Sequence, residues 1–292
     1  GMTGFVMNTR RGVFADWRVR AAMMHAFNFE YINETMTGSK QPRITSYFSN
    51  SELGMQAGPA EGRVRELLEP FADELLPGAL EGYALPEGDG SARNRGNLRK
   101  AMALLQEAGW SVQDGVMKNA DGQPLRFEIV LSQSAGEEQS IIDIFVQALQ
   151  RLGVAPQVTV IDSAQYNERV NTFDYDMTFF RRGLSLSPGN EQRLYWGSEA
   201  ADQTGSRNLM GMKSAAADAM IDVLLDAESR EDFVAASRAL DRVLTTGRYV
   251  IPIYQWNVAR IAHVKELHYP EQVPVYGDWI DWMPNAWWWE EE

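Results

Sequence analysis

Apolar residues recur at three-and-four spacing between 16 and 27, where Val19, Ala22, Met23, Ala26 and Phe27 form one stripe. This predicts a helix opened by Asp16, with His25 off the stripe, behind a short strand at 4–8. Leu98, Ala101, Met102, Leu105 and Ala108 mark a second helix, capped by Asn97 and ended by Gly109. Trp110 then leads toward a hairpin whose turn is the Asp121-Gly122 pair. The most regular stretch follows. Leu125, Phe127, Ile129 and Leu131 alternate as a strand, Ile141, Ile144, Phe145, Ala148, Leu149 and Leu152 make a helix ended by Gly153, and Val158 and Val160 give another strand. Strand, helix and strand in that order form a βαβ unit with parallel strands.

Farther along, Ser163 is placed to cap a helix running to Val170, and 175–180 reads as a strand. Apolar spacing then predicts helices over 216–227 and 230–246, followed by strands over 249–255 and 258–263. Pro252 assigns the first of these to a sheet edge or a bulge, because proline donates no ladder hydrogen bond. Two regions resist a periodic reading. Residues 37–95 carry Pro42, Pro59, Pro70, Pro77 and Pro86, with only short helical turns near 64–68 and 71–76. Six of the nine tryptophans fall within 256–292, among Pro270, Pro274 and Pro284. Such a tail needs a surface for its indoles, either this same domain or one outside this chain.

Composition narrows the function classes. With 292 residues the chain is long enough for one large or two medium domains. Its 27 basic against 40 acidic residues leave a net charge of −13, which argues against nucleic acid and anionic membrane surfaces, since both require a basic face. There is no cysteine, hence no disulfide, thiolate metal site or cysteine nucleophile. His25, His263 and His268 are too few and too scattered for a typical metal centre. No segment approaches the length of an apolar membrane span. Gly1 ahead of Met2 resembles a cloning remnant, so the natural start is expected upstream.

Catalytic patterns fail in turn. Gly183-Leu184-Ser185-Leu186-Ser187 has serine where a nucleophile elbow needs its second glycine, and Gly88-Asp89-Gly90-Ser91-Ala92-Arg93 follows no convincing strand. A carboxylate pair within 37–95 keeps a hydrolase or transferase as an alternative, although nothing singles out one pair. The distinctive polar segment is the loop after the strand at 175–180. It presents Arg181, Arg182, Ser187, Asn190, Gln192 and Arg193, with Asn208 following in a second polar run. Loops beyond the carboxyl ends of parallel strands are where open α/β sheets bind ligands. Arginine forks suit carboxylates, and serine, asparagine and glutamine pair with peptide groups.

These residues also carry a family resemblance. Gly4-Phe5-Val6-Met7-Asn8-Thr9-Arg10-Arg11, followed by Phe14-Ala15-Asp16-Trp17-Arg18-Val19-Arg20-Ala21-Ala22, resembles the opening of the last large lobe in family 5 extracellular solute-binding proteins. These are the oligopeptide- and dipeptide-binding components of ABC importers. The helix from Asn97 to Trp110 is similar to their Leu-Leu-x-Glu-Ala-Gly-aromatic helix. The 186–193 loop, Gly205-Ser206-Arg207-Asn208 and the Trp287-Trp288-Trp289 ending look most like the YejA branch.

The resemblance implies an α/β fold of periplasmic binding protein type (type II, cluster C), here its second lobe, with a mixed sheet, flanking helices and a C-terminal return segment. Residues 1–250 would form that lobe, and 251–292 would pack on an N-terminal lobe missing from this chain. It implies a non-enzymatic, periplasmic protein whose signal peptide lies upstream. No cofactor or metal is implied. The expected partners are an oligopeptide or similar small ligand and an ABC permease in the inner membrane, with an opine, sugar or metal chelate as the alternative cargo. Several relatives place an aspartate for the peptide amino terminus in the loop after the strand matching 175–180. This chain has Arg181, Arg182 and Gly183 there, and no acidic residue until Glu191.

Overall fold

The computed structural model of the chain describes residues 1–256, 261–272, 274 and 282–291. Its strands in chain order are β1 (Met2–Met7), β2 (Ser111–Gln113), β3 (Val116–Lys118), β4 (Glu128–Ser132), β5 (Gln157–Ile161), β6 (Met177–Arg182) and β7 (Val250–Pro252). Five of them form one mixed sheet in the order β5-β4-β6-β1-β7. The strands β5, β4 and β6 run parallel, and β1 lies antiparallel to both β6 and β7. β7 is an edge strand, the placement expected from Pro252.

Helices cover both faces of the sheet: α1 (Gly12–Ala15), α2 (Trp17–Ala26), α3 (Phe29–Thr37), α4 (Gly62–Leu68), α5 (Arg95–Glu107), α6 (Gly136–Arg151), α7 (Ser163–Asn171), α8 (Glu191–Trp196), α9 (Ala215–Leu225) and α10 (Arg230–Thr246). Strand alternation sorts the core. Phe5, Met7, Ile129, Leu131, Met177 and Ile251 pack with α2, α5 and α6 on one face. Val6, Val130, Phe180 and Val250 pack with α4, α8, α9 and α10 on the other. Because both faces are covered, the middle of β4 is a continuous buried run, Ile129-Val130-Leu131, rather than an alternating one.

Local starts and stops differ from the sequence reading at three places, one of them α7, where Asp162 rather than Ser163 is the cap, its carboxylate accepting the Ala164 and Gln165 N–H groups. Asp16 does cap α2, its carboxylate accepting from the Arg18 backbone N–H. Asn97, however, lies inside α5, which begins at Arg95 after Asn94 in a left-handed conformation. Asn97 is buried and used elsewhere. Its amide donates to the Glu87 carbonyl at 2.8 Å, and its oxygen meets His25 Nδ1 at 3.3 Å. The hairpin also turns earlier than expected, at Asp114-Gly115, where both residues have positive φ as a two-residue turn requires. The second Asp-Gly pair, at 121–122, closes a turn in which the Asn119 N–H donates to the Gln123 carbonyl.

The proline-rich stretch buries Ile44, Tyr47, Phe48, Leu53 and Leu68 in the core and is held in addition by charged side chains. Asp241, fully buried on α10, accepts backbone N–H groups from Tyr47, Phe48 and Met55. Its neighbour Arg242 donates to the carbonyls of Gln56, Gly58 and Ala79. In the tail, β8 (Leu267–His268) pairs with β9 (Trp288–Trp289) beside α11 (Trp282–Ala286). Two-residue strands are too short to show a hydrophobic period. Tyr269 stacks on Trp287 at 4.8 Å, while Trp256, Trp288 and Trp289 stay about half exposed. Of the strand expected over 258–263, residues 258–260 lie outside the described residues, as does Trp279, and 261–263 are not a strand.

Candidate functional site

The carboxyl ends of β4 and β6 point to the same side of the sheet, and a cavity of about 330 Å³ opens there. One wall is the end of β6, with Phe179 and Arg181. A second is the start of α6, with Glu137, Glu138 and Ile141. A third is the chain just after β7, with Ile253, Tyr254 and Trp256. The register Thr3↔Arg181 places β1 at the floor.

Strand alternation sends the two arginines to opposite faces. Arg181 follows Phe179 on the α6 side and is exposed, and among the described residues it makes no ion pair or hydrogen bond through its side chain. Arg182 also borders the cavity, but its guanidinium lies 4.3 Å from the Tyr195 ring centroid. Burial pulls its pKa below the ordinary arginine value, and Arg207 adds to the effect. Its Nε is buried without a hydrogen-bond partner.

The remaining sequence candidates fall elsewhere. Ser187 is exposed on the loop joining β6 to α8, its N–H donating to Ser185 Oγ. Asn190 and Arg193 border a second cavity of about 420 Å³ against α9, where Arg193 pairs with Asp222 at 2.8 Å. Gln192 is buried and accepts the Trp196 indole N–H at 2.7 Å. Asn208 is fully buried. It donates to the carbonyls of Gly197 and Met212 and accepts the Met212 N–H, which fixes the loop leading into α9. Gln192 and Asn208 therefore support the loop from inside, their polar atoms already used.

The sequence reading missed Glu137, Glu138 and Tyr254. The Tyr254 hydroxyl donates to Glu137 Oε1 across the cavity rim. Burial raises the tyrosine pKa, and the charges of Glu137 and Glu138 raise it further. A signal for the glutamates existed, because the loop after β4 obeys the same strand-end rule that singled out the loop after β6. Tyr254 carried none. Among the described residues, no group of three or more histidines or carboxylates is placed to hold a metal ion. Two cavities border the proline-rich stretch, one of about 110 Å³ with Glu61 on its wall and one of about 260 Å³ with Glu74.

Comparison with known proteins fits this architecture. The chain is 41% identical over 288 residues to a Brucella melitensis relative, covering 98% of this chain and 46% of the other. It is 39% identical over 289 residues to the peptidoglycan-binding protein YepA of Agrobacterium fabrum, covering 99% of this chain and 46% of that one. It thus spans about half the length of the curated relatives it matches. The oligopeptide-binding protein AppA of Bacillus subtilis, solved with a nonapeptide, superposes with a TM-score of 0.67 at 17% identity, over 87% of this chain and 44% of AppA. That likeness shows a periplasmic binding protein fold. A model of the bacterial extracellular solute-binding proteins, family 5 (middle region), matches residues 1–204. With that match spanning most of the chain and the sheet, helices and strand-end cavity arranged as described, the chain belongs to the family 5 bacterial extracellular solute-binding proteins.

Proposed function

We propose that this chain is the second lobe of the substrate-binding component of an ABC-type oligopeptide importer, and that it works in the periplasm without enzymatic activity. The observation that carries this reading is the cavity at the carboxyl ends of β4 and β6, whose wall offers a guanidinium with no partner among the described residues, carboxylates and aromatic surface together. A peptide presents the complementary set: charged ends, amide groups and apolar side chains. Peptide cargo is supported by the names of similar proteins, one called peptidoglycan-binding and another solved with a nonapeptide.

In this reading the first lobe closes over the cavity by hinge motion, and the closed form docks on an inner-membrane permease. Residues 251–254 complete this lobe's own sheet and core, and the aromatic segment beyond them returns to that other lobe, which covers Trp288 and Trp289. Arg181 and Arg182 orient the ligand, and the loop carrying Ser187, Asn190, Gln192, Arg193 and Asn208 is held in place beside it. Titration calorimetry on the full-length polypeptide tests the proposal. Saturable binding of tri- to pentapeptides, weakened at least tenfold by the R181A/R182A double change, is expected. Saturable binding of a sugar or metal chelate with no response to any peptide would overturn it.

A further inference from the structure

Asn28 and Asn94 each stand just before a helix, α3 and α5, where an asparagine oxygen ordinarily accepts an N–H of the first turn. Neither side chain does so. Both residues are 3% exposed, and Oδ1 of Asn28 and Nδ2 of Asn94 are buried without a hydrogen-bond partner among the described residues. A buried amide atom left unpaired is destabilising, so two forgone caps call for another purpose. Both oxygens turn toward Gly88. A Cβ placed on that glycine would stand 2.9 Å from Asn28 Oδ1, 3.3 Å from Asn94 Oδ1 and 2.6 Å from Oε2 of Glu30. Three side-chain oxygens from the starts of two helices therefore converge on the space a side chain would fill at 88. The cradle is held from outside. Glu30 Oε2 accepts the Gly88 N–H at 2.8 Å, and Asn28 Nδ2 donates to the Ser91 carbonyl at 2.7 Å. Arg43 approaches the other Glu30 oxygen, Oε1, at 4.0 Å.

One carboxylate and two amide oxygens are the donor set of a hard cation, not of an anion or a soft transition metal. A water molecule has two protons for these three inward oxygens, whereas a cation meets all of them at once. The Asn94 amide fits the same reading: its oxygen is the atom nearer the cradle, although the reverse orientation would turn an N–H group toward the unpaired Asn28 Oδ1. We propose that Asn28, Glu30 and Asn94 bind a calcium ion, with water completing the roughly six to eight oxygens that such an ion takes. The ion ties the starts of α3 and α5 to the 86–94 loop and stabilises this lobe without touching the peptide. With a single carboxylate in the shell, the affinity falls in the weak range, a Kd of about 10⁻⁴–10⁻³ M.

The test uses the full-length polypeptide, stripped of metal with a chelator and titrated with calcium chloride, with magnesium chloride as the comparison. Calorimetry is expected to show a saturable calcium site, and thermal melts a rise of a few degrees in Tm at about 10 mM calcium. Magnesium should be much less effective, because it demands a smaller and more regular shell. Asn28→Ala and Glu30→Gln should abolish the rise, while Glu228→Gln, at an exposed acid between α9 and α10, should keep it. Asn94→Asp adds a second carboxylate in a left-handed conformation that aspartate tolerates, and should tighten calcium binding about tenfold or more. That gain decides the matter even where Asn28→Ala fails to fold. An Asn94→Asp protein that is less stable and no tighter for calcium would overturn the proposal. So would an equal response to magnesium, or a calcium response that survives Glu30→Gln, since both mark general screening of an acidic protein. Each of these overturning results leaves the peptide-binding function standing.

Discussion

Two nitrogens of Arg10, Nε and Nη2, donate to the single carbonyl oxygen of Ala201, at 2.8 and 2.6 Å. The same guanidinium reaches the carbonyls of Asn208 and Leu209 and lies 3.7 Å from the Phe173 ring centroid. Its neighbours continue the connection. Asn8 donates to the Phe173 and Tyr175 carbonyls, and Thr9 bonds the Met210 carbonyl through both backbone and side chain. One tripeptide after β1 thus fastens the entry to β6 and the long loop before α9.

Replacing Arg10 by alanine should therefore cost about 2–3 kcal/mol, the range for charge-assisted hydrogen bonds lost from a partly buried site. Arg10→Lys should recover little, because an ammonium lacks the planar fork that spans several carbonyls. Urea denaturation midpoints of the three proteins check this. Equal midpoints for the lysine variant and the unmodified protein would disprove the geometric argument.

Asp241 makes a second prediction. Its Oδ1 accepts from Tyr47 and Phe48 and its Oδ2 from Met55, all backbone N–H groups with no helix or sheet partner. Asp241→Ala orphans them and should cost about 2–4 kcal/mol, given roughly 1–3 kcal/mol for each buried group left unpaired and partial relaxation of the loop. Limited proteolysis should then cut first within 46–55. Asp241→Asn keeps one acceptor and should lose about half as much.

Acid sensitivity follows from Glu128 and Arg169, whose side chains meet at 2.6 and 3.2 Å and are each about one-quarter exposed. The Arg169 hydrogen bond holds the Glu128 carboxyl below its ordinary pKa, with Thr159 contributing. A depressed folded-state pKa gives stability that is present above the unfolded value, about 4.3, and lost as pH falls through the folded one. Glu128→Gln should be about 1 kcal/mol less stable at pH 7 and lose less stability than the unmodified protein between neutral pH and about pH 3. Thermal melts across that range measure both.

Gly4 tests the pairing of β1 with the edge strand β7. A Cβ at this position would collide with the carbonyl oxygen and carbon of Ile251 on β7, and backbone atoms cannot swing aside as a side chain tip can. Gly4→Ala should separate β1 from β7 and lower soluble yield sharply, whereas Gly12→Ala, with open space around it, should be tolerated. Comparable yields would show that the sheet edge yields more easily than the packing suggests.

Most of the framework was readable from residue spacing. The helix expected over 230–246 is Arg230–Thr246, and the βαβ unit around α6 has the parallel strands its pattern required. What escaped were polar residues with long-range partners. Asn97 resembles a cap in sequence, yet its role is set by Glu87 and His25. Asp241 and Arg242 look like surface charges on an amphipathic helix until the proline-rich loop folds over them. The site was half legible for the same reason. Arg181 and Arg182 stood out in a loop after a strand, but nothing local links Glu137 to a tyrosine 117 residues away.

The position of β1 has a consequence for how the molecule assembles. Phe5 is paired on one side with Phe179 and on the other with Ile251. β1 is thus completed only when β7, more than 240 residues later, has also been made, a topology with high contact order and slow closure. Until residues 250–252 arrive, β1 keeps an unpaired edge, the kind of surface that recruits other chains into aggregates. A polypeptide stopping short of β7 should therefore be recovered mainly in aggregates, even though every helix on both faces of the sheet is already encoded in it.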